Sequence, residues 1–248
     1  MELEVTWLGE HGPTVVMVHG SLNDGSVAWL AQVPLAERWR LVIPNRRGYG
    51  KSPPTSRVDI AMDAADVAEL LGAGSHLVGT SMGGVVAGHA AAIAPDKVLS
   101  LTLIEPPAFV NAADVPIVAE TGRSMEEHWR TSGGLAPGDF IPGFLTALGI
   151  KIALPSPLPP GVIIAARNLM TEEPWACSIP AAEIARAKFP KAVVSGTSCA
   201  SLEAICDRLA EQMPGSIRRT FPGAGHAVQR IGTAFNEFLE GFLASARS

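Results

Sequence analysis

Hydrophobic and polar positions along the chain follow two regimes. Val15-Val16-Met17-Val18, Leu41-Val42-Ile43, His76-Leu77-Val78, Val98 to Ile104 and Ala192-Val193-Val194 are short, nearly continuous apolar runs, rich in β-branched residues and ended by turn formers. Such runs predict strands buried on both faces. Longer segments with helical patterning lie between them, from Asp59 to Leu71 and from Ser81 to Ala94. Strand and helix alternating in this way predict an α/β fold, a mostly parallel sheet with helices on both faces. In such sheets ligands bind beyond the carboxyl ends of the strands. The acidic stretch Met1 to Trp7 adds a predicted edge strand.

The alternation stops after Ile104. From Pro106 to Ile179 the chain is rich in Pro and Gly and carries short amphipathic pieces, Asp114 to Arg130 and Gly161 to Met170, with no strand pattern. The alternation then resumes with a helix over Ala181 to Lys188, the strand Ala192 to Val194, a helix over Leu202 to Gln212, a strand over Ser216 to Phe221 and a helix over Thr233 to Ala244. The expected organisation is a core of residues 1–105 and 180–248, with residues 106–179 forming a helical cap inserted after the sixth strand.

Composition narrows the function. Apolar residues make up 47% of the 248 and charged residues 17%, which suits one large folded domain and not a disordered chain. A net charge of −5, spread without long runs, offers no basic face for nucleic acid and no polybasic segment for a membrane surface. No apolar run reaches membrane-spanning length, and the N-terminal residues lack the pattern of a signal peptide, so a cytoplasmic location is expected. Cys177, Cys199 and Cys206 are odd in number and show no C-x-x-C spacing, which argues against a disulfide framework or a zinc site. No metal and no cofactor are expected, and the expected partner is a small-molecule substrate, with the protein a monomer or homodimer.

The chemistry centres on His76-Leu77-Val78-Gly79-Thr80-Ser81-Met82-Gly83-Gly84. A strand runs into a G-x-S-x-G turn, and a helix begins at once. A turn this sharp presents the central hydroxyl at the edge of the sheet, and it needs Gly79 and Gly83 because a Cβ at either position would collide with the turn. Ser81 is therefore the candidate nucleophile. A serine hydroxyl needs a base within hydrogen-bond reach, and the base needs an orienting acid.

Four motifs occur in order: His19-Gly20, Arg47-Gly48-Tyr49-Gly50-Lys51-Ser52, the Gly79 to Gly83 turn and Gly223-Ala224-Gly225-His226. In these the chain resembles the α/β-hydrolase family over nearly its whole length outside the cap. The resemblance implies that His226 is the base, and that His19 is a structural residue beside the oxyanion hole. It also places the oxyanion donors at the backbone amides of Ser21 and Met82. The family's usual acid follows the strand before the histidine strand, but that turn reads Ser195-Gly196-Thr197-Ser198-Cys199-Ala200 and holds no carboxylate. Some branches, including zearalenone-lactonase-like hydrolases, carry a glutamate after the sixth strand, and Glu105 stands at the matching place. Glu203 and Asp207 are the alternatives.

Relatives that open epoxides or remove halides use aspartate at the elbow, so Ser81 implies acyl transfer to water. The cap is expected to supply substrate-binding walls, with Leu22, Trp129, Phe144 and Trp175 as candidates. The function expected is hydrolysis of a small to medium, largely apolar carboxylic ester or lactone. The alternatives are an acyltransferase, a cofactor-free carbon–carbon bond hydrolase and a non-catalytic ligand receptor on the same scaffold.

Overall fold

Seven strands form one sheet in the order β1-β3-β2-β4-β5-β6-β7, and only β1 runs antiparallel to its neighbour. They are β1 (Val5–Leu8), β2 (Thr14–Val18), β3 (Arg40–Pro44), β4 (Ser75–Thr80), β5 (Val98–Ile104), β6 (Lys191–Ser195) and β7 (Ile217–Thr220). The structure is a computed structural model that describes residues 2–150 and 152–246. Met1, part of the predicted edge strand, lies outside the described residues, as do Lys151, Arg247 and Ser248.

The helices are α1 (Gly25–Ala28), α2 (Ile60–Leu70), α3 (Met82–Ile93), α4 (Pro116–Ser132), α5 (Pro137–Leu148), α6 (Pro160–Leu169), α7 (Ala181–Arg186), α8 (Ala200–Gln212) and α9 (Thr233–Ser245). The Asp59 side chain caps α2 by accepting from the Met62 N–H at 3.0 Å, which satisfies one of the amides a helix start leaves open.

Alternate side chains of the central strands feed two cores, as a pleated strand requires. Val16, Val18, Leu101, Leu103 and Val193 pack with α2, α3 and α8 on one face. Val15, Met17, Ile104, Ala192 and Val194 pack with Trp29, Trp39, Phe235 and Leu239 on the other.

Two expectations need correction. The inserted stretch follows the fifth strand of this chain, not the sixth. The stretch also contains α5, which the sequence pattern did not single out, because Gly138, Pro142 and Gly143 interrupt its helical spacing. Within the insertion α4 packs on α5 and α5 on α6, and α4 also packs on α8 of the core. No helix among the described residues is long and apolar enough to cross a membrane.

Candidate active site

The elbow is built by close backbone approach. β4 ends at Thr80, α3 begins at Met82, and Ser81 between them takes φ 53° and ψ −130°. A Cβ on Gly79 would lie 2.3 Å from the Gly83 carbonyl oxygen, and one on Gly83 2.3 Å from those of Val18 and His19. The Ser81 N–H donates to Ile104 O at 2.8 Å, tying the elbow to the end of β5.

One residue further along β5 stands Glu105, fully buried, with φ 40° and its own N–H bonded to Val194 O at 2.9 Å. Among the described residues Ser81, Glu105 and Thr197 are the only non-glycine residues in the left-handed region. Strain of that kind costs roughly 1–3 kcal/mol per residue and persists where the surroundings over-determine it.

The three side chains form a hydrogen-bonded line. Glu105 Oε2 is 2.7 Å from His226 Nδ1, and His226 Nε2 is 3.0 Å from Ser81 Oγ. The second carboxylate oxygen, Oε1, accepts from the Gly196 N–H at 2.6 Å. A carboxylate only accepts, so His226 carries its proton on Nδ1 and turns the Nε2 lone pair to the serine hydroxyl. His226 sits in the Gly-rich loop after β7 with its side chain 25% exposed, whereas Glu105 has no exposed surface. This arrangement can take a proton from Ser81 and stabilise the resulting imidazolium with a buried charge.

The alternative carboxylates lie elsewhere. Glu203 Oε1 accepts from Ser195 Oγ at 2.9 Å and pairs with Arg218, which also holds Asp207 at 2.8 Å. Glu203 is half-buried and Asp207 exposed. Cys199 is buried, its Sγ 3.1 Å from Leu148 O and 3.2 Å from Ser201 Oγ, and all three cysteines are free. No group of three His, Cys, Asp or Glu side chains among the described residues is arranged to hold a metal.

Beneath the loop at residues 19–21 lies a cluster the sequence reading missed. Arg46, only 1% exposed, pairs with Asp63 at 3.2 Å and with Glu172 at 3.3 Å. It also donates to Gly20 O at 3.1 Å. Glu172 accepts from Ser21 Oγ at 2.6 Å, and the Tyr49 hydroxyl donates to Ser21 O at 2.6 Å. The His19 ring accepts from the Arg46 N–H on Nε2 at 3.0 Å, which leaves Nδ1–H to donate to Gly20 O at 2.8 Å. Burial, reinforced by the Arg46 charge, holds the His19 pKa down to about 3, so the ring is neutral. Burial also pushes the Glu172 and Asp63 carboxyls above their ordinary range, against the pull of Arg46. The cluster thus fixes the backbone on either side of the Ser21 amide. Its sequence signal was slight: the Arg46-Arg47 and Glu172-Glu173 pairs in a chain poor in charge.

Ser81 and His226 open onto a cavity of about 340 Å³ that Leu22, Phe144, Leu145, Ile150 and Arg230 also line. Ser21 and Met82 lie with Ser81 and His226 around a smaller inner pocket. Leu22 and Phe144 therefore stand where a substrate wall was expected. Trp129 and Trp175 do not. Their rings meet at 5.1 Å, Trp129 also abuts Phe140 at 4.8 Å, and both face a separate groove with Met170. Helical spacing showed that they are inward-facing but not which interior they fill.

The family described as "alpha/beta hydrolase fold" matches residues 13–127. The pimeloyl-[acyl-carrier protein] methyl ester esterase of Chromobacterium violaceum is 43% identical over 109 residues, 42% of this chain and 41% of the relative. The protein of the same name from Aeromonas hydrophila is 35% identical over 123 residues, 48% of each chain. The matches thus span less than half the length of these curated relatives. An alpha/beta hydrolase from Sphaerobacter thermophilus shares the fold with a TM-score of 0.72 and 24% identity, covering 96% of both chains. Strand order and elbow give this chain the α/β-hydrolase fold, and its residues 13–127 are similar to the family of that name.

Proposed function

We propose that the protein is a serine hydrolase that cleaves largely apolar carboxylic esters or lactones through Ser81, His226 and Glu105. The observation that carries this reading is the unbroken line from Ser81 Oγ through both His226 nitrogens to a fully buried carboxylate, at the wall of a cavity. The names of the curated relatives, methyl ester esterases, agree with it.

In the proposed reaction Ser81 Oγ attacks the substrate carbonyl carbon while its proton passes to His226 Nε2. The carbonyl electrons move to oxygen, where the Ser21 and Met82 amides donate to the oxyanion. One such donor is worth on the order of 3 kcal/mol in the barrier. Glu105 holds the imidazolium in place. When the tetrahedral adduct collapses, the alkoxide leaves with the proton from His226, and a water molecule repeats the sequence on the acyl-serine. Nothing in this cycle calls for a metal or cofactor, and the partner it needs is a small molecule. Three free, buried thiols suit a reducing compartment such as the cytoplasm. The bonded Glu105 speaks against a non-catalytic receptor, for which an orienting acid has no use.

The test is covalent labelling. A fluorophosphonate should add to Ser81 in the native protein, and Ser81→Ala should abolish both the adduct and ester turnover. An intact mass without adduct, or full turnover by Ser81→Ala, would refute the assignment.

A further inference from the structure

Gly20 lies hard against the serine. A Cβ on it would fall 2.9 Å from Ser81 Cβ and 3.4 Å from Ser81 Oγ. The peptide joining Gly20 to Ser21 therefore passes beside the reacting atom, and in the proposed reaction its N–H is one of the two oxyanion donors. This peptide is trans and planar, so its C=O and N–H point in opposite directions. Whatever grips the Gly20 carbonyl oxygen thereby aims the Ser21 N–H. Two buried donors grip it, Arg46 Nη2 at 3.1 Å and His19 Nδ1 at 2.8 Å. His19 in turn accepts from the Arg46 N–H at 3.0 Å, so both grips run through one residue.

The guanidinium is itself held from two directions. Nη1 donates to Asp63 of α2 at 3.2 Å, and Nη2 to Glu172 of the insertion at 3.3 Å. The other oxygen of Glu172 takes the Ser21 hydroxyl at 2.6 Å. A planar guanidinium fork meets two carboxylates and a carbonyl at fixed angles, which a single ammonium does not. Arg46 borders neither the outer cavity nor the inner pocket, so it acts through the peptide and not on substrate. We propose that Arg46 is a positioning residue for catalysis: through the Gly20 carbonyl it aims the Ser21 N–H at the oxyanion, with Asp63 and Glu172 fixing its fork. The inference rests on Ser81 being the nucleophile and on Ser21 being an oxyanion donor. A hydrogen bond weakens steeply once its angle drops below about 120°. Losing one oxyanion donor outright costs roughly 10²–10³-fold in kcat, and a misaimed donor, with His19 still in place, forfeits part of that.

The experiment compares the wild-type protein with Arg46→Lys, which keeps a positive charge between the two carboxylates but gives up the fork. Turnover is read on p-nitrophenyl butyrate. Two inhibitors separate aim from general damage. An octyl trifluoromethyl ketone accepts Ser81 Oγ at its carbonyl carbon while the serine proton passes to His226, and so forms an oxyanion. Octyl methyl ketone fills the same cavity without adding. In Arg46→Lys kcat should fall about tenfold with KM within about threefold, the signature of an interaction made in the transition state. Ki for the trifluoromethyl ketone should rise about tenfold, and Ki for the methyl ketone by less than about threefold. If Arg46→Lys does not fold, Glu172→Gln, which keeps the guanidinium and weakens one of its anchors, should show the same pattern at about three- to tenfold. Unchanged kcat and trifluoromethyl ketone affinity in the folded variant would overturn the positioning role. Equal weakening of both ketones would overturn it too, since damage to the cavity produces that result. Fluorophosphonate labelling of wild-type Ser81 in either case leaves the nucleophile standing. Wild-type protein that takes no fluorophosphonate, and binds the trifluoromethyl ketone no tighter than the methyl ketone, would overturn the nucleophile reading and the positioning role with it.

Discussion

Glu105 and Glu172 are the same residue type, both all but sealed from water, yet they sit in opposite electrical settings. Glu105 answers to His226, a side chain that can take up and release a proton and that reaches solvent. Glu172 answers to Arg46, whose charge is permanent, and to the Ser21 hydroxyl. The contrast teaches that burial alone does not make a carboxylate reactive. A carboxylate whose partner changes charge can take part in a reaction, while one whose partner cannot is a strut.

The sharpest test of this division is Glu105→Gln. The amide keeps the shape and can still accept from the Gly196 N–H, but it cannot stabilise an imidazolium. Turnover is expected to fall by a hundredfold at least and up to about 10⁴-fold, with the denaturation midpoint little changed. Glu203→Gln and Asp207→Asn serve as controls, expected to stay near wild type because both carboxylates face Arg218.

Next comes Arg46→Met, which leaves Asp63 and Glu172 buried without their cation. Uncompensated charges of this kind cost about 3–5 kcal/mol, to be read from urea unfolding. The remaining folded fraction should lose less turnover than Glu105→Gln does. If the two variants exchange these signatures, the division between reactive carboxylate and strut is wrong.

His19 gives a smaller, pH-dependent effect within the same cluster. Its folded pKa of about 3 lies below the ordinary 6.5, so below pH 6.5 the unfolded chain binds a proton that the folded protein refuses. Stability from this residue is therefore present above pH 6.5 and falls as the pH drops toward 3, by up to about 1.4 kcal/mol per unit. His19→Gln should remove that part of the acid slope in urea midpoints measured between pH 4 and 7. It should also lower stability at neutral pH, where the Arg46 N–H loses its acceptor.

The smallest effect is expected from Cys199→Ser. This side chain touches Leu148 and Ser201 and belongs to neither carboxylate's network. Activity should stay within about tenfold of wild type, and a hundredfold loss in a folded variant would reopen the question of a thiol role.

What the sequence disclosed follows from how local each feature is. The elbow was legible because strand, turn and helix are contiguous and its two glycines have a steric reason. Placing His226 took the family resemblance together with a Gly-rich loop after a strand. Glu105 needed the family resemblance, since a carboxylate before Pro106 is otherwise an ordinary strand end. The Arg46–Glu172 pair joins residues 126 positions apart, and no pattern along the chain announces such a contact. Trp129 and Trp175 lie at a groove apart from the Ser81 cavity, which the sequence did not announce for a related reason. Periodicity separates inside from outside but does not say which of two interiors a ring fills.

The main-chain bonds from Ser81 to Ile104 and from Glu105 to Val194 have a consequence for heat. Both groups hang on the sheet's own ladder, continued one step past the strand ends, and not on loops that sway independently. Warming that loosens the inserted helices leaves their separation unaltered. The spacing of nucleophile and acid is therefore expected to hold until the sheet itself melts.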